Sequence, residues 1–480
     1  MSESSKTALR PLCVDLDGTL VKTDTFAQAL LLLIRTHPAV LCSIPDWAAN
    51  GLAALKQRVA QEIQLDPAAL PYHPGLLTFL KGERAKGREL ILVTASNILP
   101  ARAVAEHLGL FSDVMASDGI INLKASRKRD ALIARFGEKG FDYAGNATDD
   151  LAVWAAAGGV IAVNPSTPVR RALKNSSARI FEDRPSRLRI WLKALRVHQW
   201  TKNGLIFLPM LLAHELTTPV LYVKAVLAFF AFSFAASAIY VFNDLFDLHA
   251  DQHHPRKKNR PFAAGNLSLV AAVAAAPLLV LAALATAQLL PASFTGVLLI
   301  YLVTTTLYSW RLKQLVLLDV MTLAGLYAVR IFAGTAAYGV ETSTWLIALS
   351  IFLFFSLAMV KRYAELREAS QGQPNAVRVR GRGYCEADLP LLAGFGAGSG
   401  CISVLVLALY INSDKVVQFY RHPALLWLLC PLLLYWIARV WLLASRGELS
   451  DDPLNFAVRD PQTWIIGVLS VIVLILGTVL

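Results

Sequence analysis

The chain is predicted to join an N-terminal α/β module to a C-terminal all-α module of membrane-spanning helices. Three observations predict this. The 480 residues are 55 % hydrophobic with a mean hydropathy of +0.50, too apolar for an ordinary globular protein. The excess is uneven. Up to about Arg196 polar and apolar residues mix as in a soluble domain, whereas from about Asn203 apolar runs of about twenty residues follow one another, each enough to cross about 30 Å of hydrocarbon. Third, the formal charge of +12 is concentrated in loops between those runs, a distribution that fits membrane topology and not nucleic-acid binding. The five cysteines (Cys13, Cys42, Cys385, Cys401 and Cys430) have no metal-ligand spacing and read as structural. The start "MSESSKTALRPLCV" lacks the apolar core of a cleaved signal.

In chain order, the first element is the short apolar strand in "ALRPLCVDLDGTLVKTDT", ending in Asp15-Leu16-Asp17-Gly18-Thr19. Between Leu20 and Tyr72 the pattern is mostly helical, a small cap. "ELILVTAS" is a second strand, carrying Thr94; "NLKASRKRDAL" carries Lys124 and Lys128; "FDYAGNATDDLAVWAAA" carries Asn146, Asp149 and Asp150. Alternating strands and helices imply a doubly wound sheet with its site at the carboxyl ends of the strands.

These motifs resemble those of the haloacid dehalogenase-like (HAD) phosphatases, whose first motif is DxDGT. The resemblance implies a Rossmannoid fold in which Asp15 attacks phosphorus and Asp17 acts as acid and base. Thr94 and Lys128, with Lys124 as the other candidate, would contact phosphate. Mg²⁺ held by Asp15, Asp17, Asn146 and Asp150 would screen the approach of nucleophile to phosphate. One position departs from the pattern: the first acid of GDxxxD is Asn146, a neutral oxygen donor that weakens metal binding without excluding it. A module kept for regulation or folding is the alternative, and the intact Asp15 and Asp17 weigh against it.

The stretch "NPSTPVRRALKNSSARIFEDRPSRLRIWLKALRVHQW" (164–200) is rich in Arg, Ser and Pro and is apolar only toward its end, in "SRLRIWLKALR", an expected interfacial helix. The expected domains are therefore 1–180, a linker 181–200, and 201–480. Nine spans are expected, centred near Leu208, Phe232, Val280, Leu298, Leu326, Phe352, Val406, Leu428 and Val471. The loops after the even-numbered spans carry the basic residues: Arg256 to Arg260, then Arg311 and Lys313, then Lys361 to Arg382, then Arg446 and Arg459. By the positive-inside rule these loops and the N-terminal module face the cytoplasm of an inner membrane, with Leu480 on the other side.

The second span ends in "VFNDLFDLHADQHHPRKKNRP". Asn243, Asp244, Asp247 and Asp251 are spaced by three and four, which places them on one helix face. Ionisable residues at a membrane helix end are costly and mark function, and clustered oxygens suit Mg²⁺ bound together with phosphate. "NDLFDLHAD" is similar to the NDxxDxxxD signature of the UbiA prenyltransferase superfamily, which the following "NRP" also resembles. Over residues 190–480 the resemblance implies a nine-helix bundle with a polar cavity facing the cytoplasm.

A second DxxxD is typical of that superfamily, but here Asp319 is followed four residues on by Leu323, and a single Arg330 comes eleven residues after Asp319. "RVHQWTKN", "KRYAEL", "GRGY" and "DPLNFAVRD" are similar to the branch that transfers 5-phosphoribose to polyprenyl phosphate. That resemblance implies Mg²⁺-dependent transfer from phosphoribosyl pyrophosphate to a decaprenyl-like phosphate in cell-envelope biosynthesis. Asn243, Asp244, Asp247 and Asp251 would hold Mg²⁺ on the leaving pyrophosphate. Lys202, Asn203, Arg260, Asp319, Arg330, Lys361, Arg362 and Glu365 would bind the substrates, Arg being suited to bidentate phosphate contact. The HAD-like module would then remove the 5-phosphate. The expected partners are the two substrates and the bilayer; nucleic acid is excluded, and a homo-oligomer stays open. The alternatives are a prenyltransferase acting on an aromatic acceptor with a regulatory HAD domain, and a transporter using its acids as an ion relay. The clustering of those acids at one helix end disfavours the transporter.

Overall fold

The computed structural model describes residues 9–212, 218–340, 343–370, 383–414, 416, 420–449 and 452–479. Arg378, Arg380, Gly381 and Arg382 of the expected basic loop, and the expected end at Leu480, lie outside them. By packing, the chain forms two compact units: Met1–Leu195 with Tyr240–Ala276, and Arg196–Ile239 with Pro277–Leu480.

In the first unit, β1 (Leu12–Val14) has three apolar side chains, all fully buried, as befits a strand covered on both faces. It pairs in parallel with β2 (Leu90–Asn97) and β4 (Asp142–Gly145), Cys13 lying opposite both Ile91 and Tyr143. Together with β3 (Asp113–Ser117), β5 (Gly159–Val163) and β6 (Arg179–Phe181) the order is β3-β2-β1-β4-β5-β6, all parallel. The expected α/β Rossmannoid fold is therefore present. The order reverses between β1 and β4, the crevice where a doubly wound sheet binds its ligand.

The insert between β1 and β2 is helical as expected, with helices Thr25–Thr36, Ile44–Ala49 and Leu52–Glu62. Asp24 starts the first of them by accepting from Ala27 N at 2.9 Å. Ala29 and Leu33 on its inner face pack with Leu55 and Val59. β6 falls inside the stretch read as polar and linker-like; a three-residue strand is too short for alternation to show in the sequence. The amphipathic segment forms the helix Arg187–Ala194.

Among the described residues eight helices are long and apolar enough to cross a membrane: Pro219–Phe246, Leu269–Ala287, Ala292–Trp310, Leu318–Tyr338, Thr344–Ser370, Glu386–Ile411, Pro423–Arg446 and Pro461–Thr478. This is a multi-pass membrane protein with a helical membrane module. The count is eight where nine were expected. The stretch near Leu208 is a 3₁₀ run, Val197–Phe207, followed by the short helix Leu208–Leu212. Its side chains explain this: Lys202 and Asn203 are buried on polar partners, and Pro209 removes a backbone donor. Leu318–Tyr338 is 67 % buried over its most apolar stretch against 11 % for Pro461–Thr478, so its polar residues face protein.

Candidate functional site

The chain leaves β1 at Val14 and places two carboxylates in the crevice. Asp15 is buried, and Lys128 Nζ donates to its Oδ1 at 2.7 Å. Lys128 Nζ also donates to Tyr143 Oη at 2.9 Å, and Tyr143 Oη donates to Asp150 Oδ1 at 2.8 Å. Asp150 Oδ2 accepts from the backbone N–H groups of Asn146 and Ala147, both at 2.9 Å. Both Asp150 oxygens are therefore engaged in holding the 146–150 turn and the tyrosine that steadies Lys128. Lys124 is elsewhere, paired with Asp149 at 3.1 Å with both side chains about half exposed.

Thr19 Oγ1 lies 3.3 Å from Asp15 Oδ2 and 3.2 Å from Asn146 Oδ1, so these two oxygens converge. Gly18 makes this possible. It has φ +75°, and a Cβ there would fall 2.2 Å from Asn146 Nδ2. Asp17 Oδ1 accepts from Thr25 N at 2.8 Å, and its Oδ2 accepts from Ser96 Oγ. Thr94 Oγ1 accepts from Ser96 N at 2.9 Å and so shapes the same turn. Burial pushes the Asp15 carboxyl up to about 7, with Lys128 opposing and Asp150 adding to the rise. Burial likewise pushes Asp17 up to about 6, with Asp24 contributing. A carboxyl that keeps its proton near neutrality is what a general acid requires.

The acidic helix end differs from a single face. Helix Pro219–Phe246 stops, Asp247 adopts φ −91° and ψ 6°, and Leu248–Gln252 resumes after it. Asp244 and Asp251 are buried and converge on one nitrogen, Arg260 Nη1, at 3.2 and 2.6 Å. Asp247 turns the other way, 3.6 Å from Arg35 Nη2, and Asn243 is half-buried, its carbonyl accepting from Asp247 N at 2.8 Å. Arg35 Nη1 also donates to Phe246 O at 2.6 Å.

The second unit gathers a cationic cluster. Lys202 Nζ and Lys361 Nζ both donate to Asp452 Oδ2 at 2.8 Å, and Tyr327 Oη donates to the same oxygen at 2.9 Å. Burial would raise the Asp452 pKa, but the Lys361 and Lys202 ammonium groups hold it far below the usual carboxylate range. Beside this cluster Arg330 Nε donates to Asn203 Oδ1 at 2.9 Å, and Asn203 Nδ2 donates to Ser233 Oγ at 3.0 Å. Asp319 has no exposed surface. Arg362 grips it through Nε and through Nη2 at 3.0 Å, Tyr308 Oη donates to it at 2.8 Å, and Arg362 Nη1 reaches Glu365.

The expected site residues thus lie in separate polar clusters, with Asp247 and Lys124 turned away from theirs. Tyr143, Ser96, Tyr308, Tyr327 and Asp452 were not singled out. Asp452 had a signal, as the first residue of "DPLNFAVRD", but its lysines lie 250 and 91 positions away. Among the described residues no three His, Cys, Asp or Glu side chains form a ready metal cage. The oxygen donors still suit a hard cation that shares its shell with phosphate. Asp244 and Asp251 already converge on a cationic group, and Asp15 and Asn146 share one hydroxyl.

Fold and clusters define a multi-pass membrane enzyme carrying a HAD-like α/β module. The chain belongs to the UbiA prenyltransferase family, whose model matches residues 204–459. The haloacid dehalogenase-like hydrolase model matches residues 12–135. Protein y4nM of Sinorhizobium fredii is 36 % identical over 464 residues, 96 % of this chain and 89 % of that protein. The nodulation protein NoeC of Azorhizobium caulinodans is 32 % identical over 56 % of this chain and 87 % of its own. A decaprenyl-phosphate phosphoribosyltransferase of Mycobacterium tuberculosis is 37 % identical over 38 % of this chain and 61 % of its own.

Proposed function

We propose that the membrane module transfers 5-phosphoribose from phosphoribosyl pyrophosphate to a decaprenyl-like polyprenyl phosphate, and that the HAD-like module removes the 5-phosphate of the product. The observation that carries the first half is Asp319. It is the lone acid of the second motif, Leu323 stands where its partner would be, and Arg362 with Tyr308 encloses it. The second acid of the DxxxD pair that would hold a second diphosphate-bound metal is thus missing from that motif. The likeness to the phosphoribosyltransferase supports the same reading.

In this reading a lipid phosphate oxygen attacks C1 of the ribose, the C1–O bond breaks, and pyrophosphate leaves with the electron pair. Asp244 and Asp251, with Asn243 and Asp247 nearby, would hold Mg²⁺. When bound, Mg²⁺ supplies charge screening of the leaving group. Lys202 and Lys361 would contact substrate phosphates, supported by Arg330 and Asn203, while Arg362 and Glu365 keep Asp319 in place. In the HAD-like module an Asp15 oxygen attacks phosphorus and the sugar O–P bond breaks while Asp17 protonates the sugar oxygen. Water then attacks the aspartyl phosphate, returning Asp15 and releasing inorganic phosphate. Asp15, Asp17 and Asn146 would hold the metal there, and Lys128 neutralises charge beside Asp15. Both clusters face the cytoplasm of the inner membrane.

Release of pyrophosphate from phosphoribosyl pyrophosphate by the purified protein should require a polyprenyl phosphate and vanish in Asp244→Asn. Release without lipid, or normal turnover by that variant, would overturn the transferase half. The wild type should accumulate the dephosphorylated lipid and Asp15→Asn the 5-phosphorylated one; identical phosphorylated products would overturn the hydrolase half.

A further inference from the structure

A cavity of about 650 Å³ opens from the hydrolase cluster. It is lined by Asp17, Gly18 and Asn146. Residues 265–271, where the loop after the acidic segment enters the apolar helix Leu269–Ala287, also line it. The hydrolase cluster therefore opens toward the end of a membrane-spanning helix. That segment is held in place. Gly265 has φ +67°, and a Cβ there would lie 2.5 Å from Lys22 Cβ, so loop and hydrolase touch backbone against side chain. Lys22 is in turn ion-paired to Asp183, which also accepts from Asn164 Nδ2 at 2.9 Å.

Two chemical features of the lining restrict its ligand. Arg184 and Arg187 border the cavity, and neither has a hydrogen-bonded or ion-paired partner among the described residues. Trp191 and Val270, the latter 69 % exposed, add apolar surface beside the membrane helix. A small soluble phosphate monoester has one anionic group, which the Asp15 and Lys128 cluster already serves. Two further guanidinium groups at the same cavity suit a second anion, which Arg receives bidentately. The volume is that of a small-ligand pocket.

We propose that this cavity is the substrate pocket of the hydrolase, and that it selects a phosphate monoester borne on a membrane-anchored headgroup with a second phosphoryl group, received by Arg184 and Arg187. The proposal rests on the hydrolase reading of the N-terminal module but not on which sugar the membrane module transfers. The start of the Leu269–Ala287 helix lies along the path of the lipid chain.

The full-length protein in detergent micelles, without phosphoribosyl pyrophosphate, should be given two probes: ribose 5-phosphate and a short-chain prenylphosphoryl-ribose 5-phosphate. Phosphate release gives kcat/KM for each. The wild type should favour the lipid-linked probe by about tenfold or more, and Arg184→Ala with Arg187→Ala should reduce that preference by about tenfold through KM. Arg184→Lys with Arg187→Lys should recover part of the preference. If both probes lose activity equally and Lys does not restore it, the arginines are structural and the pocket assignment fails while the hydrolase reading stands. If the wild type hydrolyses neither probe, the hydrolase reading fails and this proposal with it.

Discussion

Asp319 and Arg362 form a buried ion pair inside a membrane helix bundle, each with less than a tenth of its surface exposed. Removing one partner leaves a buried charge unpaired, at a cost of about 3–5 kcal/mol. Arg362→Leu should therefore lower the denaturation temperature in detergent sharply, and adding Asp319→Leu should restore much of it. If the double variant is no more stable than the single, the pair does more than balance charge. A second residue-scale effect belongs to the α/β module. Glu83 accepts from Lys86 at 2.7 Å and from Arg88 at 2.8 Å. Burial would raise its pKa, yet these two partners outweigh it and hold the carboxyl below its ordinary 4.5. A carboxylate depressed in the folded state stabilises above the unfolded value, and the gain is lost as pH falls through the folded one. Thermal stability of the module should accordingly drop as pH goes below 4.5, and Glu83→Gln should flatten that drop. An unchanged pH profile in the variant would remove Glu83 from the account.

At the scale of elements, the Thr25–Thr36 helix serves both ends of its unit. Its first residue gives a backbone N–H to Asp17, and Arg35 in its last turn donates to Phe246 O and approaches Asp247. The bend at Asp247 explains why a spacing of three and four did not yield one acidic face: the helix is interrupted between Phe246 and Leu248. Arg35 sits about seven residues beyond the N-terminal turn, about 10 Å along a helix rising about 1.5 Å per residue, so it should not affect hydrolysis. Arg35→Ala should lower transferase kcat/KM severalfold and leave hydrolysis of ribose 5-phosphate intact. Parallel loss of both activities would mean that the helix, and not the position of Asp247, was damaged.

For the molecule as a whole, orientation is the property with the simplest physical origin. Basic residues are sparse in alternate loops, with none in "AYGVETS", and dense in the 256–260 segment, which holds Arg256, Lys257, Lys258 and Arg260. Retention of Lys and Arg on the cytoplasmic side predicts that a membrane-impermeant thiol reagent reaches Lys258→Cys, in a protein otherwise lacking cysteine, only in inverted vesicles. Labelling in intact cells would reverse the assigned orientation.

Local chemistry was enough to read the class of each module. Apolar runs long enough for a bilayer, a buried "LCV" strand ending in DxDGT, and the NDxxDxxxD segment are all signals within a few consecutive residues. Pairing across distance was not legible. Lys202 and Lys361 meet on Asp452, Tyr143 links Lys128 to Asp150, and β6 is a strand only because β5 is beside it. The stretch near Leu208 is apolar enough to suggest a span, yet the polar partners of Lys202 and Asn203 hold it in a 3₁₀ run. Periodicity reports which face of an element is apolar; only tertiary packing decides which buried polar groups find one another, because each must be satisfied by whatever the fold brings within hydrogen-bond reach.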